Sequence, residues 1–519
     1  DVADPRAVGG TTVSESSRSL PDQPSLRFLK LEARRRLAAG EFRALYEAQL
    51  AIAREYGFSS WTALKQVVGD SQPDPDEDVL DHLGWVVSRL AGAGQPDWAP
   101  PAEQELAEHF EQSYLNRVTP GQLIENLSGM ARNWSLGDEV TVITERPRFI
   151  LARVGGVRIT TVGADEPPHR LRGIQAYRIG ESVTDSRVAA PPADAAGEVP
   201  QAAVAVAEEA FGKLGLPGLV LAGVDDHGQP WELARGWARL DPQEPLSTTH
   251  RFPVYTISTL ITATAVLRLV ADGRLELDGP ANDHLRTIRL ADDHITVRDL
   301  LTQTDGLAAP GEAFAETVPD LATLTGPVLA SGGTRGTAAG GLGGYAALGA
   351  LIADISGSPY PQAAARLVLD PLGMSGSSFP ERWPAAGERA VSGHRLDDGG
   401  AFVPAAAEVG TVPAALGLWT TAADLIRFAL GWSALLPAPL AEEALRPVAR
   451  PRPSSEVAIG FGWRINESRG AAGHGGLARG AAASLVVKLD SGKAYVALTN
   501  RGIPIEEVNG RVAQALADS

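Results

Sequence analysis

The run Phe252–Leu267, FPVYTISTLITATAVL, constrains this chain more than any other stretch. Ile257, Leu260, Ile261, Thr264 and Leu267 recur at intervals of three and four, the spacing that lines up side chains on one face of an α-helix, so the run predicts a helix packed into a core. Its start carries three hydroxyls, Thr256, Ser258 and Thr259. Hydroxyls at a helix start serve as caps for backbone N–H groups that have no partner within the helix. The same position also presents a nucleophile well. Both roles are open to these residues.

Six further segments follow in order: ADGRLELDGPANDHL, ITVRDLLTQTDGL (295–307), DPLGMSGSSF (370–379), GLWTTAADLIRF (417–428), FGWRI and SLVVKLDSGKAYVALTN. Together with 252–267 they resemble the penicillin-binding protein and class C β-lactamase superfamily of serine hydrolases, over about residues 200–515. The resemblance implies a β-lactamase/transpeptidase-like domain at 201–519, an antiparallel sheet flanked by helices plus a helical subdomain. It also implies three catalytic segments, and two of them are altered here.

The family's first segment usually reads like FRIGSVTKTFTATAVL, a serine nucleophile with a lysine base three residues later. Residues so spaced are neighbours on a helix, and a lysine partly stripped of water has a lowered pKa and accepts the hydroxyl proton. This chain has Thr256 and Thr259 at those places. A threonine hydroxyl has no useful basicity near neutral pH, and Thr256 as nucleophile is crowded by its own methyl group. Shifting the register by two makes Ser258 the candidate, but its partner is then Ile261.

The second segment in the family resembles PGTRFSYSNTGYALLGALI, with a Y-x-N motif. Residues 332–352 read GGTRGTAAGGLGGYAALGALI, which puts Gly340, Gly341 and Leu342 in place of the motif. No tyrosine or asparagine occurs from Ser331 to Gly344. Glycine for tyrosine removes volume and bares backbone N–H groups, so a widened pocket beside Tyr255 is expected. Gly341, Gly343 and Ala346 also satisfy G-x-G-x-x-A, but no apolar strand precedes them and no nucleotide is expected. The third segment is kept: AGHGG (472–476) stands at the place of the family's K-T-G or H-x-G. The resemblance gives His474, Gly475 and Gly476 a substrate-positioning role, with a strand N–H joining that of Thr256 in an oxyanion hole.

The rest of the chain predicts a multidomain α+β protein. Residues 1–24 read as a flexible tail, and 25–69 as a helical module in which Gln49–Lys65 resembles a short module of actinobacterial proteins. After an acidic, proline-containing linker, 79–180 shows helical patterns followed by four strand-like runs. That layout resembles steroid-isomerase-like domains, which implies a small-molecule pocket with Asp165 and His169 as lining residues. Such a domain before a β-lactamase-like one is similar to a protein of the clavulanic acid pathway, which points to secondary metabolism. A second linker spans 184–200.

A net charge of −17 argues against nucleic acid or an anionic membrane surface as partner. There is no cysteine, so disulfides, thiolate zinc sites and cysteine nucleophiles are excluded. No apolar run is long enough to span a bilayer, and a cytoplasmic protein is expected. The nine histidines are scattered, no H-E-x-x-H occurs, and Asp292-Asp293-His294 falls in a predicted loop, so neither metal nor cofactor is expected. The oligomeric state is not readable from these residues. Three readings stand. The large domain has lost acyl-enzyme chemistry and binds a small molecule, with or without a non-hydrolytic reaction. Alternatively, it is a divergent hydrolase or acyltransferase using Thr256 or Ser258, with Tyr255 or His474 taking the proton. In the third, the active site lies in 79–180 and the large domain is scaffold.

Overall fold

A computed structural model describes residues 29, 33, 36, 42, 45–58, 60, 61, 64, 75–91, 99, 101–115, 120, 121, 123, 124, 140–146, 149–154, 157–164, 170–178, 185–188 and 192–517, the last span without 226, 327, 332–334, 337–340, 385–387, 398, 399, 451–456 and 479. The chain forms two compact units, Asp1–Ile179 and Gly180–Ser519.

In the first unit, α1 (Leu45–Glu55) packs Ala48, Ile52 and Ala53 against Leu29, Ala33, Trp61 and Leu64. Helix α2 (Pro75–Ala91) opens on proline, whose missing N–H is no loss at a first helical position. Its Val79, Leu83, Val86 and Val87 recur every three or four residues and are buried, meeting Leu106 of α3 (Glu103–His109) and Phe110. Strands β1 (Val140–Arg146), β2 (Phe149–Val154), β3 (Val157–Gly163) and β4 (Leu171–Arg178) then form an antiparallel meander in that order. Helices before an antiparallel meander is the layout expected from the sequence. The tail 1–24 and the proposed pocket residues Asp165 and His169 lie outside the described residues.

The second unit is built on a nine-stranded sheet. Its strands are β5 (Ala193–Ala196), β6 (Gly218–Val224), β7 (Pro230–Leu240), β8 (Val457–Ile459), β9 (Arg464–Asn466), β10 (Ala471–Ala478), β11 (Ala481–Lys488) and β12 (Ala494–Thr499). They lie in the order β8-β9-β10-β11-β12-β6-β7-β5, with Gln243–Pro245 paired to β7 as the ninth strand. Every residue of β6 is buried because the sheet is covered on both sides. Successive side chains alternate faces. Leu219 and Leu221 therefore join α4 (Gln201–Leu214) and the last helix, while Val220 and Ala222 join the helical subdomain.

At the centre of that subdomain is α5 (Ser258–Ala271). Eleven of its residues are buried, so it is enclosed on all sides rather than amphipathic, and the periodic face read from the sequence is part of a fully covered helix. Its threonines are tolerated there because their hydroxyls find acceptors: Thr262 Oγ1 donates to the Ala414 carbonyl at 2.6 Å and Thr264 Oγ1 to Leu260 at 2.8 Å. Helix α6 (Leu342–Ser356) packs against α5, and α7 (Ala422–Gly431) is capped by Thr421 and covers β6 and β12. The last helix in the chain order, α8 (Glu506–Ala515), packs on α4 across the outer face. Among the described residues no helix is long and apolar enough to cross a membrane.

Candidate active site

Strand β10 pairs with β9 only as far as Gly473, opposite Arg464, so from His474 onward its β9-side edge has no strand beside it. The chain entering α5 fills part of this gap. It comes so close that a Cβ built on Gly476 would stand 2.1 Å from the Val254 carbonyl oxygen and 3.3 Å from Tyr255 Cβ. Glycine is required there by contact with backbone, which cannot move aside as a side-chain tip can. Gly476→Ala is expected to destabilise the unit by about 1–3 kcal/mol in urea unfolding, the range for overpacking a close-fitted core.

Tyr255 sits in the left-handed region at φ 45°, a conformation that costs a non-glycine residue of order 1–3 kcal/mol. Its ring packs edge-on against Phe314, 5.7 Å between centroids, and burial keeps its phenol protonated. The turn it makes aims Thr256 at the edge of β10, where Thr256 Oγ1 donates to the Gly475 carbonyl at 2.6 Å. Ser258 points elsewhere. Fully buried, its Oγ donates to Tyr255 O at 2.5 Å and accepts from Leu418 N–H at 2.9 Å. Thr259 Oγ1 donates back to Thr256 O at 2.7 Å. All three hydroxyls are bonded to backbone carbonyls, and only Thr256 is more than marginally exposed. Ser258→Ala leaves the Leu418 N–H buried without an acceptor, and a loss of about 1–3 kcal/mol is expected in thermal or urea unfolding.

The unit contains three lysines, Lys213, Lys488 and Lys493. Lys213 Nζ pairs with Glu209 at 2.5 Å, Lys488 Nζ donates to Arg469 O at 2.8 Å, and Lys493 lies across the turn from Lys488. None of them supplies the base missing at Thr259.

The Gly475 carbonyl also accepts from His474 Nδ1 at 2.8 Å. Since a carbonyl only accepts, this fixes the neutral ring with its proton on Nδ1. Nε2 is then a lone-pair acceptor, and it is buried without a hydrogen-bond partner among the described residues. Desolvation, then the charge of Arg464, lowers the His474 pKa to about 3. Arg464 is itself partly buried, and desolvation holds its pKa below the usual guanidinium range. Among the described residues no hydrogen bond or ion pair meets its guanidinium. Its charge also acts on Tyr345, whose hydroxyl donates to Leu301 O at 3.4 Å.

Gly340 lies outside the described residues, and Leu342 is the first residue of α6. The widening expected at Gly340 thus falls outside the described residues, and its neighbour Gly341 is closely packed. Gln303, in a left-handed turn at φ 58°, puts its Cγ 2.7 Å from where a Gly341 Cβ would be. Asp305 does the same at Gly344, where its Oδ2 would meet an added Cβ at 2.4 Å. Side chains from the preceding loop therefore occupy the space that these glycines leave. Gly475 is also closely approached, by Glu506 Oε1 at 2.5 Å from its notional Cβ.

The family model described as Beta-lactamase matches residues 203–518, more than half of the chain. The chain belongs to the β-lactamase family. Among solved structures, a class C beta-lactamase is similar at 21% identity and a TM-score of 0.51, covering 62% of this chain and 95% of its own. The penicillin-binding protein from Bacillus halodurans matches at 20% identity and 0.50, covering 60% and 98%. A D-stereospecific amidohydrolase from Streptomyces sp. matches at 22% and 0.50, covering 61% and 98%. These likenesses are of fold.

Within this β-lactamase-family unit, the structure brings Tyr255, Thr256, His474, Gly475 and Gly476 together at the edge of β10, and Ser258 faces away from it. Sequence reasoning did not single out Arg464, Gln303 or Asp305. Arg464 lies inside the FGWRI landmark, where a charged residue following Phe461, Gly462 and Trp463, all buried, is the visible signal.

The buried groups set the acid response of the unit. Burial is also the main cause of the fall of the His394 pKa to about 4. A folded pKa below the unfolded value means that acid favours the unfolded chain, so His394 and His474 withdraw stability as pH falls below about 6.5. Asp305 opposes them. Burial raises its pKa to about 6, and its protonation adds stability as pH falls from there towards 3.8. Burial raises the Glu232 and Glu506 carboxyls as well, so they act with Asp305, while each of the two histidines withdraws about 1.4 kcal/mol per pH unit between roughly pH 6 and 4.5. Urea unfolding of His474→Asn should show a slope about one proton shallower.

Proposed function

We propose that this β-lactamase-family unit binds a small carboxylate-bearing molecule at the edge of β10 and does not process it through an acyl-enzyme. The observation that carries this reading is a pair of groups in the site that meet no partner among the described residues, the Arg464 guanidinium and His474 Nε2. A partly buried cation without a counter-charge and a buried lone pair without a donor each cost free energy, and a bound molecule supplies both deficits at once. The fork of Arg464 suits a planar carboxylate. Nε2 suits an O–H or N–H donor close to that carboxylate, as in a 2-hydroxy acid or an N-acyl amino acid.

The same geometry argues against covalent chemistry. The Thr256 proton is held by the Gly475 carbonyl, Thr259 offers no base, and an imidazole with a pKa of about 3 is too weak to take the proton. Intact-mass measurement after incubation with a fluorescent penicillin and a fluorophosphonate is expected to show no adduct, while calorimetric titration with N-acyl amino acids and 2-hydroxy acids shows binding. A stable adduct on Thr256 or Ser258 would overturn the reading in favour of a divergent hydrolase. Absence of binding across both ligand classes would remove the carboxylate assignment.

A further inference from the structure

A cavity of about 420 Å³ in the second unit is lined by Glu316, Arg382, Trp383, Ala406, Ala407 and Glu408. A volume of that size suits a small organic molecule. Its two carboxylates are brought together by a short antiparallel ladder, in which Phe314 pairs with Gly410 and Ala315 with Val409. One step further along, the same register sets Glu316 opposite Glu408. Side chains two residues apart share a face of a strand, so both carboxylates lie on the face of Phe314, whose ring packs on Tyr255. The charge of Glu408 accordingly reaches the Tyr255 phenol. The cavity thus borders the site at the edge of β10 and shares none of its residues.

Like charges directly across a ladder repel. Among the described residues neither carboxylate has a hydrogen bond or ion pair, and Arg382, the cation of the lining, pairs with neither of them. Trp383 is held in place from behind: its Nε1 donates to the Val391 carbonyl at 3.2 Å, and its ring meets that of Trp419 edge to face at 4.7 Å and 86°. Trp383 and Glu408 are half-buried, while Glu316 and Arg382 are exposed.

We infer that this cavity binds a small organic cation, with an ammonium or guanidinium head between Glu316 and Glu408 and an apolar stem against Trp383, Ala406 and Ala407. A cation shared by the two carboxylates removes their repulsion and gives each a charged hydrogen bond. The indole face attracts the same positive charge. A hydrated divalent metal ion would use the carboxylates but gain nothing from the indole and the alanines. Arg382 opposes a cation, so its charge holds the affinity down. The inference does not depend on the carboxylate ligand proposed for Arg464 and His474.

The test is calorimetric titration of the full chain at low salt with n-butylguanidinium, n-butylammonium, neutral n-butanol and calcium chloride. The two organic cations are expected to bind with dissociation constants on the order of 1 mM or below, and butanol and calcium are not. Glu316→Gln and Glu408→Gln should each weaken the cations about 3- to 10-fold, whereas Arg382→Gln should tighten them about 2- to 5-fold. Each glutamine variant of a glutamate loses a cross-strand repulsion and should unfold at no lower temperature than the wild type, which separates lost binding from lost folding. Calcium binding as tightly as the organic cations, no binding of either cation, or cation binding unchanged in both Glu316→Gln and Glu408→Gln would overturn the inference.

Discussion

Arg464→Met should make the unliganded protein harder to unfold and the liganded protein easier to empty. Methionine keeps the length of the side chain and removes a partly buried charge that has no partner among the described residues, so the second unit should gain on the order of 1–3 kcal/mol in urea unfolding without ligand. Affinity should move the other way. A charged hydrogen bond contributes about 1.5–3 kcal/mol, so the dissociation constant for a carboxylate ligand should rise roughly 10- to 100-fold in calorimetry. The opposite signs are what separate a binding group from a structural one. If Arg464→Met lowers both stability and affinity, the guanidinium has a partner within the fold and the site is misassigned.

The double substitution Thr256→Ser, Thr259→Lys should create covalent labelling where the wild type has none. Serine removes the methyl group that crowds the nucleophile, and lysine returns an amine one helical turn away, in a position 4% exposed where its pKa would be depressed. A placed general base is worth roughly 10²–10⁴-fold in rate, so a fluorescent penicillin should label the double variant at least a hundred times faster than Thr256→Ser alone. Circular dichroism confirms folding before labelling is compared. Equal labelling of the single and double variants would mean that another group in the cleft already serves as base for residue 256.

Much of the second unit was legible in the sequence because its segments are each set by local rules and occur in the family's order. The helix after Tyr255 is a case in point: its periodicity gave the element, although not its enclosure on every side. That depends on α6, on the sheet and on the segment around Ala414, all distant in sequence. The altered catalytic residues were legible for the same local reason, since a lysine is either three residues after the nucleophile or it is not. The contents of the site were less so. Gly341 has its flank packed by Gln303, 38 residues earlier, through a left-handed turn that the residue type of Gln303 does not announce. The orphaned Nε2 of His474 follows from which carbonyl its other nitrogen meets, and no spacing rule contains that. Ser258 was a plausible nucleophile until its depth and its two backbone partners were known.

Strand β12 lies between β11, which precedes it closely in the chain, and β6, which was made about 275 residues earlier. Helix α8, the last element, packs on α4, the helix just before β6, with Arg511 paired to Glu209. The beginning and end of this unit therefore meet at its centre, and the ribosome must release nearly all of it before the sheet can join. Until then the apolar face of β6 has no permanent cover. Shortening the chain from its carboxyl end would leave a nascent polypeptide that cannot complete its fold, rather than a smaller version of the same domain.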